Sequence, residues 1–177
     1  SDHRAGADQQ HRRAGRDPRL RRSGQLLYWA RAAIVVAVVL VVDRLTKQAV
    51  ESGVHPGEER SFLPGVQIVH THNNGVAFGL LGGSHVYLTV ALALVVVLVL
   101  VIFAWRAGRG PTWLPIGMIV GGALGNVIDR IRFGSVTDFI KLPLGWPPFN
   151  VADACITIGV VVLALLISRP PPREQAQ

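Results

Sequence analysis

The chain has 177 residues, of which 50% are hydrophobic and 16% charged, and its formal net charge is +7. Long uncharged runs alternate with short charged connections, which is typical of a multi-pass membrane protein and excludes an ordinary soluble core. The arginines cluster beside the hydrophobic runs, so membrane topology explains the charge better than nucleic-acid binding does. A single cysteine excludes an intramolecular disulfide and argues against a structural zinc site.

Residues 1–24 are polar, arginine-rich and without apolar periodicity, which predicts a disordered cytoplasmic tail. The first hydrophobic segment, Leu26 to Val50, could be a signal peptide. Its apolar run ends in Asp43-Arg44 and not in a small-residue cleavage site, which favours a retained helix. Asp43 and Lys47 lie one helical turn apart in the favourable order for an ion pair. They either form a snorkelling helix end or brace a structure on the outer side.

The segment 51–84 is too long and too polar for a tight turn. Its part from Val66 to Thr71 alternates loosely as a strand would, which predicts a small strand-containing layer on the membrane surface. His70 and His72 would share one face of this strand, but no third ligand is apparent nearby, so we expect no metal site. Asn73-Asn74-Gly75 is a strong turn signal.

Three further spans are predicted at Val86 to Trp105, Thr112 to Ile128 and Val151 to Ser168. Between the last two, Arg132 to Pro148 reads as an exposed connection. The third span carries a stripe of glycines at every fourth position, which indicates close packing against a neighbouring helix; these are Gly117, Gly121 and Gly125.

Four spans place both termini on one side of the membrane, and the arginine-rich ends identify that side as cytoplasmic. We therefore predict a transmembrane domain over residues 25–169, followed by a cytoplasmic tail at 170–177. The connections 51–84 and 131–149 then share the outer side. Several polar residues converge at that outer face, and this convergence is the main functional signal: Asp43, Asn73, Asp129, Asp138 and Asp153.

The chemistry expected of Asp138 and Asp153 is that of a carboxylate pair. Two adjacent aspartates cannot both ionise easily, so one keeps a proton and the other acts as a base. The base can activate a water and the acid can protonate a departing amide nitrogen, which is peptide hydrolysis without a covalent intermediate. Other nucleophiles are weak candidates, because no serine lies in a nucleophile elbow, no HExxH occurs, and Cys155 lacks a nearby histidine.

Each aspartate also has a structural interpretation. Asp153 is placed to complete a capping box with Asn150, a role that is compatible with catalysis. Asp138 could be a solvated loop acid, although its neighbours are partly apolar. Asp129 pairs most simply with Arg130 and would then hold the geometry of the site.

Two rival functions remain at this point. The intramembrane acids could line an ion or proton path, or the polar cluster could staple a structural adaptor. An ion path predicts acids at many depths, whereas the centres of the second, third and fourth spans carry none. This distribution weighs against transport.

The chain resembles the lipoprotein signal peptidases, the type II bacterial signal peptidases, over residues 28–168. The resemblance lies in five motifs that occur in the family's order on a four-span frame. These are Asp43-Arg44-Leu45-Thr46-Lys47, Asn73-Asn74-Gly75-Val76-Ala77-Phe78, Gly125-Asn126-Val127-Ile128-Asp129-Arg130, Val136-Thr137-Asp138-Phe139 and Phe149-Asn150-Val151-Ala152-Asp153. The basic tail, residues 1–24, matches no family motif.

The resemblance implies an all-α integral membrane protein with four transmembrane helices, a small β-layer and a short helix on the outer face. It implies an aspartyl protease of the bacterial cytoplasmic (inner) membrane with catalytic Asp138 and Asp153, no cofactor and no metal. Its substrates would be diacylglyceryl-modified prolipoproteins, cut just before the lipidated cysteine, and the cyclic peptide globomycin would block the pair. We expect a monomer that contacts membrane lipids and no nucleic acid. Supporting or substrate-binding roles fall to Asp43, Lys47, Asn73, Gly122, Asn126, Asp129, Arg130, Asn150 and Ala152.

Overall fold

The computed structural model describes residues 18–73, 94–95, 98–99 and 111–168. The predictions for residues 1–17, for 74–85, for most of the second span and for the C-terminal tail lie outside these residues. The described positions of the second span are helical; they are Leu94, Val95, Leu98 and Val99. The count of four spans therefore remains a prediction from the sequence.

Helix α1 comprises Pro18–Gly53, 36 residues. Proline suits the first position of a helix because its fixed φ is already helical and its missing N–H would be unpaired there. Residues 18–24 are thus helical where the sequence predicted a disordered tail, since extending an existing helix costs little once it has nucleated. The stretch Arg22–Gly53 is long and apolar enough to cross a membrane.

Helix α2 comprises Trp113–Phe133 and is the second helix of membrane-crossing length among the described residues. It packs along α1 through the predicted glycine stripe. A Cβ on Gly117 would lie 2.7 Å from Cβ of Val35, and a Cβ on Gly121 would lie 2.9 Å from Cβ of Val39. Since neither distance leaves room for a side chain, the stripe is the surface along which the two helices approach.

Helix α3 comprises Val151–Ile167, and at 17 residues it is a shorter apolar helix. Its N-cap is Asn150, which forms a capping box with Asp153. Gly159 of α3 approaches α2 closely, because a Cβ there would lie 2.8 Å from the carbonyl oxygen of Pro115. The three helices and the second span share one apolar core, whose buried members are Tyr28, Ala32, Val99, Ile116, Ile119, Val120, Ala123 and Leu163.

A three-stranded antiparallel sheet confirms the predicted small β-layer. Its strands are β1 (Glu59–Leu63), β2 (Val66–Asn73) and β3 (Val136–Lys141), in the order β1-β2-β3. The ladder between β2 and β3 sets Thr71 opposite Asp138, with a register shift between Ile68 and Thr71. The described residues between the helices form strands and turns, and the expected short helix is not among them.

The connection Arg132 to Pro148 is not simply exposed, as the sequence had suggested. It contains β3, whose first four residues are buried. Phe139 of this strand packs against Val50 and Val54 at the end of α1. Burial of these apolar side chains draws the strand onto the helix end, and Asp138 is buried with it.

Candidate active site

Asp138 lies in the middle of β3 with only 3% of its surface exposed, so it is not a solvated loop acid. Each of its carboxylate oxygens accepts a hydrogen bond from an asparagine. The side-chain amide of Asn150 donates to Oδ1 over 2.7 Å, and that of Asn73 at the end of β2 donates to Oδ2 over 3.0 Å. The carboxylate is therefore held from two sides, by a strand neighbour and by the residue that caps α3.

Asp153 lies in the first turn of α3 and is half-buried. Its Oδ1 accepts a hydrogen bond of 2.7 Å from the side-chain amide of Asn126 on α2. Its Oδ2 accepts the backbone N–H of Asn150 over 3.2 Å. The predicted capping role is thus present, and one carboxylate oxygen is held by α2 at the same time.

Asn150 joins the two carboxylates. Its backbone N–H donates to Asp153, its side-chain amide donates to Asp138, and its Oδ1 accepts the N–H of Asp153 over 3.0 Å. The residue is fully buried. A single side chain and its own backbone therefore set the positions of both acids, which arrive on different elements of the fold.

The protonation of Asp138 reflects its surroundings. Burial raises the pKa of Asp138 to about 6, the negative charge of Asp153 acts in the same direction, and the hydrogen bonds from Asn73 and Asn150 oppose them. A buried carboxyl close to a second carboxylate gains a proton more easily than a free one does. Asp138 therefore holds a proton more readily than an exposed aspartate does.

Lys47 is fully buried among the three helices and the site. Its Nζ lies 2.6 Å from Oδ2 of Asp43 and 2.6 Å from Oδ2 of Asp129. The interpretation as a snorkelling helix end is wrong for this side chain, because a snorkelling ammonium would reach water. Lys47 instead ties α1 to α2, as the bracing interpretation expected.

The brace extends to the start of α3 and to Asp153. Oδ1 of Asp43 accepts the backbone N–H of Ala152 in α3 over 2.9 Å. Oδ1 of Asn126 lies 3.4 Å from Nζ of Lys47. Because the ammonium attracts the carbonyl end of that amide, its NH2 end is left to donate to Asp153. The cation thus fixes the orientation of a hydrogen-bond donor in the site.

The predicted Asp129–Arg130 pair is wrong. Consecutive helical residues point about 100° apart and do not face each other. Asp129 turns to Lys47, whereas Arg130 donates from Nη1 to the carbonyl oxygen of Asn126 over 3.1 Å. The Nε of Arg130 is buried without a hydrogen-bond partner.

Small residues let α2 and α3 approach where the acids meet. A Cβ on Gly122 would lie 2.4 Å from the carbonyl oxygen of Ala152, and a Cβ on Gly125 would lie 3.1 Å from Oδ2 of Asp43. Gly125 was read from the sequence only as a packing residue. Thr71 was missed altogether: its Oγ1 donates to the carbonyl oxygen of Asp138 over 3.0 Å. Only the strand register, which the sequence did not provide, would have revealed it.

The two histidines of β2 lie beside the sheet with ring centroids 5.0 Å apart. Nδ1 of His70 lies 2.8 Å from the carbonyl oxygen of Val54 and so ties the strand to the end of α1. Within the described residues no three histidine, cysteine or acidic side chains are grouped as a metal site requires.

Helices of membrane-crossing length end at a site where two aspartates are hydrogen-bonded to the same residue, an arrangement that fits a membrane enzyme. A family model described as "Signal peptidase (SPase) II" matches residues 35–169. The lipoprotein signal peptidase of Syntrophomonas wolfei is 41% identical over 140 residues, which cover 78% of this chain and 93% of the relative. That of Halothermothrix orenii is 38% identical over 136 residues, which cover 76% and 92%. The chain belongs to the signal peptidase II family and is a protease.

Two solved structures, each described as a bacterial membrane enzyme, share the fold. The first has a TM-score of 0.64 at 27% identity, and the aligned region covers 82% of this chain and 93% of the chain in that structure. The other has a TM-score of 0.65 at 26% identity and covers 79% and 94%. The family resemblance predicted from the five sequence motifs is confirmed.

Proposed function

We propose that this protein is an aspartic endopeptidase of the bacterial cytoplasmic membrane. It removes the signal peptide from diacylglyceryl-modified prolipoproteins by cutting before the lipidated cysteine, with Asp138 and Asp153 as its catalytic residues. The observation that carries this proposal is the attachment of both carboxylates to Asn150. Besides capping α3, these hydrogen bonds fix the two carboxyl groups relative to each other, as joint action on one water requires.

In the proposed reaction Asp138 holds the shared proton and Asp153 is ionised. The raised pKa of Asp138 supports this distribution. Asp153 takes a proton from a water molecule, whose oxygen attacks the carbonyl carbon before the lipidated cysteine. Asp138 then donates its proton to the amide nitrogen as the carbon–nitrogen bond breaks. The products are a carboxylate on the signal peptide and an amine on the cysteine.

The membrane places the substrate for this reaction. Diacylglycerol anchors the cysteine at the outer leaflet, so a site at the outer ends of the helices meets the scissile bond already positioned. We infer four spans with both termini in the cytoplasm and a monomeric enzyme. A cyclic peptide such as globomycin would inhibit it by occupying the acid pair.

The supporting residues then have defined roles. Lys47, Asp43 and Asp129 hold α1 and α2 at the correct spacing, and Ala152 and Gly122 let α3 join them. Asn73, Asn126 and Asn150 donate hydrogen bonds to the acids. Arg130 supplies positive charge beside the pair, where it can stabilise the negative charge that develops on the attacked carbonyl oxygen.

The test is cleavage of a diacylated precursor followed by gel shift. We expect Asp138→Asn and Asp153→Asn each to lower the rate by about a thousandfold or more, because each removes an acid–base step. The matched control is Glu59→Gln, which neutralises an exposed acid of β1 away from the site. Normal turnover in either site variant, with melting in detergent unchanged, would refute the mechanism.

A further inference from the structure

Four large apolar side chains outside the helices are exposed to the surroundings. They are Phe62 at 67%, Leu63 at 56%, Leu144 at 102% and Trp146 at 63% exposure. We call this set the sheet-end patch. The first two lie at the end of β1, and the other two lie in the loop between β3 and α3. Isolated exposed apolar residues are common, but a group on adjacent loops marks an interaction surface.

The patch occupies one end of the sheet. Gln67 at the start of β2 pairs with Lys141 at the end of β3, which brings the β1–β2 turn beside the loop after β3. A Cβ on Gly65 of that turn would lie 4.0 Å from Cγ of Pro143. The opposite end of the same ladder, where Asn73 is paired, carries the catalytic site. The patch therefore lies at the end of the ladder away from the site.

The backbone of Leu144 is strained. Its φ is 67°, and Leu144 is the single residue other than glycine with a positive φ in the described chain. Left-handed backbone is unfavourable for a leucine, and glycine or asparagine would relieve the strain. The chain instead keeps a leucine there and exposes its whole side chain. Strain of this kind points to a requirement for the side chain itself.

The charges around the patch are neutralised locally. Arg60 is paired with Glu58, with Nε 2.7 Å from Oε1, and Lys141 is paired with Glu59. An acidic or basic partner protein would find little net charge here. Trp146 also lies four residues before Asn150, where α3 enters the apolar layer. An exposed tryptophan two residues after a leucine and just before an apolar helix is typical of the membrane–water interface.

We propose that the sheet-end patch inserts into the outer leaflet at the boundary between headgroups and acyl chains. Its occupant is the lipid bilayer, and its role is to fix the free end of the sheet so that Asp138 stays aligned with α3. This inference rests on the proposed topology, in which the sheet lies on the outer face. It does not depend on the peptidase reaction.

The experiment measures depth by spin-label accessibility in the full chain. A label is attached at Leu63→Cys in a Cys155→Ser background, and the protein is reconstituted into phosphatidylcholine vesicles with and without phosphatidylglycerol. We expect the label to collide with oxygen and not with a water-soluble nickel chelate, at a depth of about 5–10 Å. Because local charges are paired, the depth should not change with the anionic lipid. A label at His55→Cys, on the exposed turn after α1, should be open to the nickel chelate.

A second pair of variants tests the patch directly. Leu144→Gly combined with Trp146→Ser should bring the label at residue 63 nearer to water, whereas Leu144→Met should leave its depth unchanged. Leu144→Gly alone should not lower the melting temperature in detergent, since it relieves the positive φ. An unchanged depth in the double variant would overturn the proposal. Two other results would also overturn it. Protection of the label from the nickel chelate only after precursor is added would identify the substrate as the occupant. Dipolar broadening between labels would identify a second copy of the chain.

The depth of the label is measured without substrate turnover. Failure of the anchor proposal can therefore be distinguished from failure of the proposed peptidase activity. An anchored but inactive protein contradicts only the proposed reaction. An active protein whose patch is in water contradicts only the anchor.

Discussion

Asp138 carries the pH dependence expected at the residue scale. Burial gives it a pKa of about 6, so raising the pH through that value removes the proton that the leaving nitrogen needs. We expect kcat/KM for a diacylated precursor to fall above about pH 6, by about tenfold for each further pH unit. The fall of kcat should occur at higher pH than that of kcat/KM, because bound substrate shields the pair from bulk water, the attacking molecule excepted. A flat profile across this range would contradict an acid role for the pair.

The same pKa has a consequence for stability, with a definite sign. Because the folded-state pKa is above the ordinary aspartate value of 3.8, the folded protein binds the proton more tightly than the unfolded chain does. This stabilisation is complete below the unfolded pKa and is lost as the pH rises through about 6. Asp138→Asn should remove this part of the pH dependence of melting, which serves as the control for the kinetic profile.

Lys47 gives the second prediction at this scale. One buried ammonium faces two buried carboxylates, so its removal leaves both uncompensated. We expect Lys47→Met to cost about 3–5 kcal/mol, measured as a lower melting temperature in detergent. Adding Asp129→Asn to it should restore part of the loss, because one of the stranded charges is then removed. Additive losses in the double variant would show that the two side chains are not coupled.

At the scale of elements, the contact between α2 and α3 determines where the acids meet. A methyl group at Gly122 would press on the backbone carbonyl of Ala152, which cannot turn aside as a side chain could. We expect Gly122→Ala to displace the start of α3 and lower kcat/KM by about a hundredfold.

The matched control for that change is Gly117→Ala, which also forces the helices apart, but against Val35 and away from the site. It should lower the melting temperature to a similar extent and affect turnover much less. Equal losses of activity in both variants would mean that the effect is general destabilisation and not displacement of Asp153.

At the scale of the whole molecule, the sequence predicts the features that rest on a repeated or alternating residue pattern. Uncharged runs located the helices, and glycines at every fourth position located the α1–α2 contact. Pairings across elements were harder to foresee. The sequence paired Asp129 with its neighbour Arg130, but which side chain faces Lys47 depends on how α1 and α2 are rotated about their axes. Likewise, the burial of Asp138 depends on the apolar contacts that draw β3 onto α1.

Asn150 has a further consequence, for resistance to inhibitors. The groups that present the acid pair are also the groups that cap α3, since the capping box and the site are the same hydrogen bonds. If Asn150 and Asp153 act as proposed, a variant that escaped a pair-directed compound by changing either residue would lose about 1 kcal/mol of helix capping together with activity. Under the proposed mechanism, selection for escape is therefore directed away from these two positions.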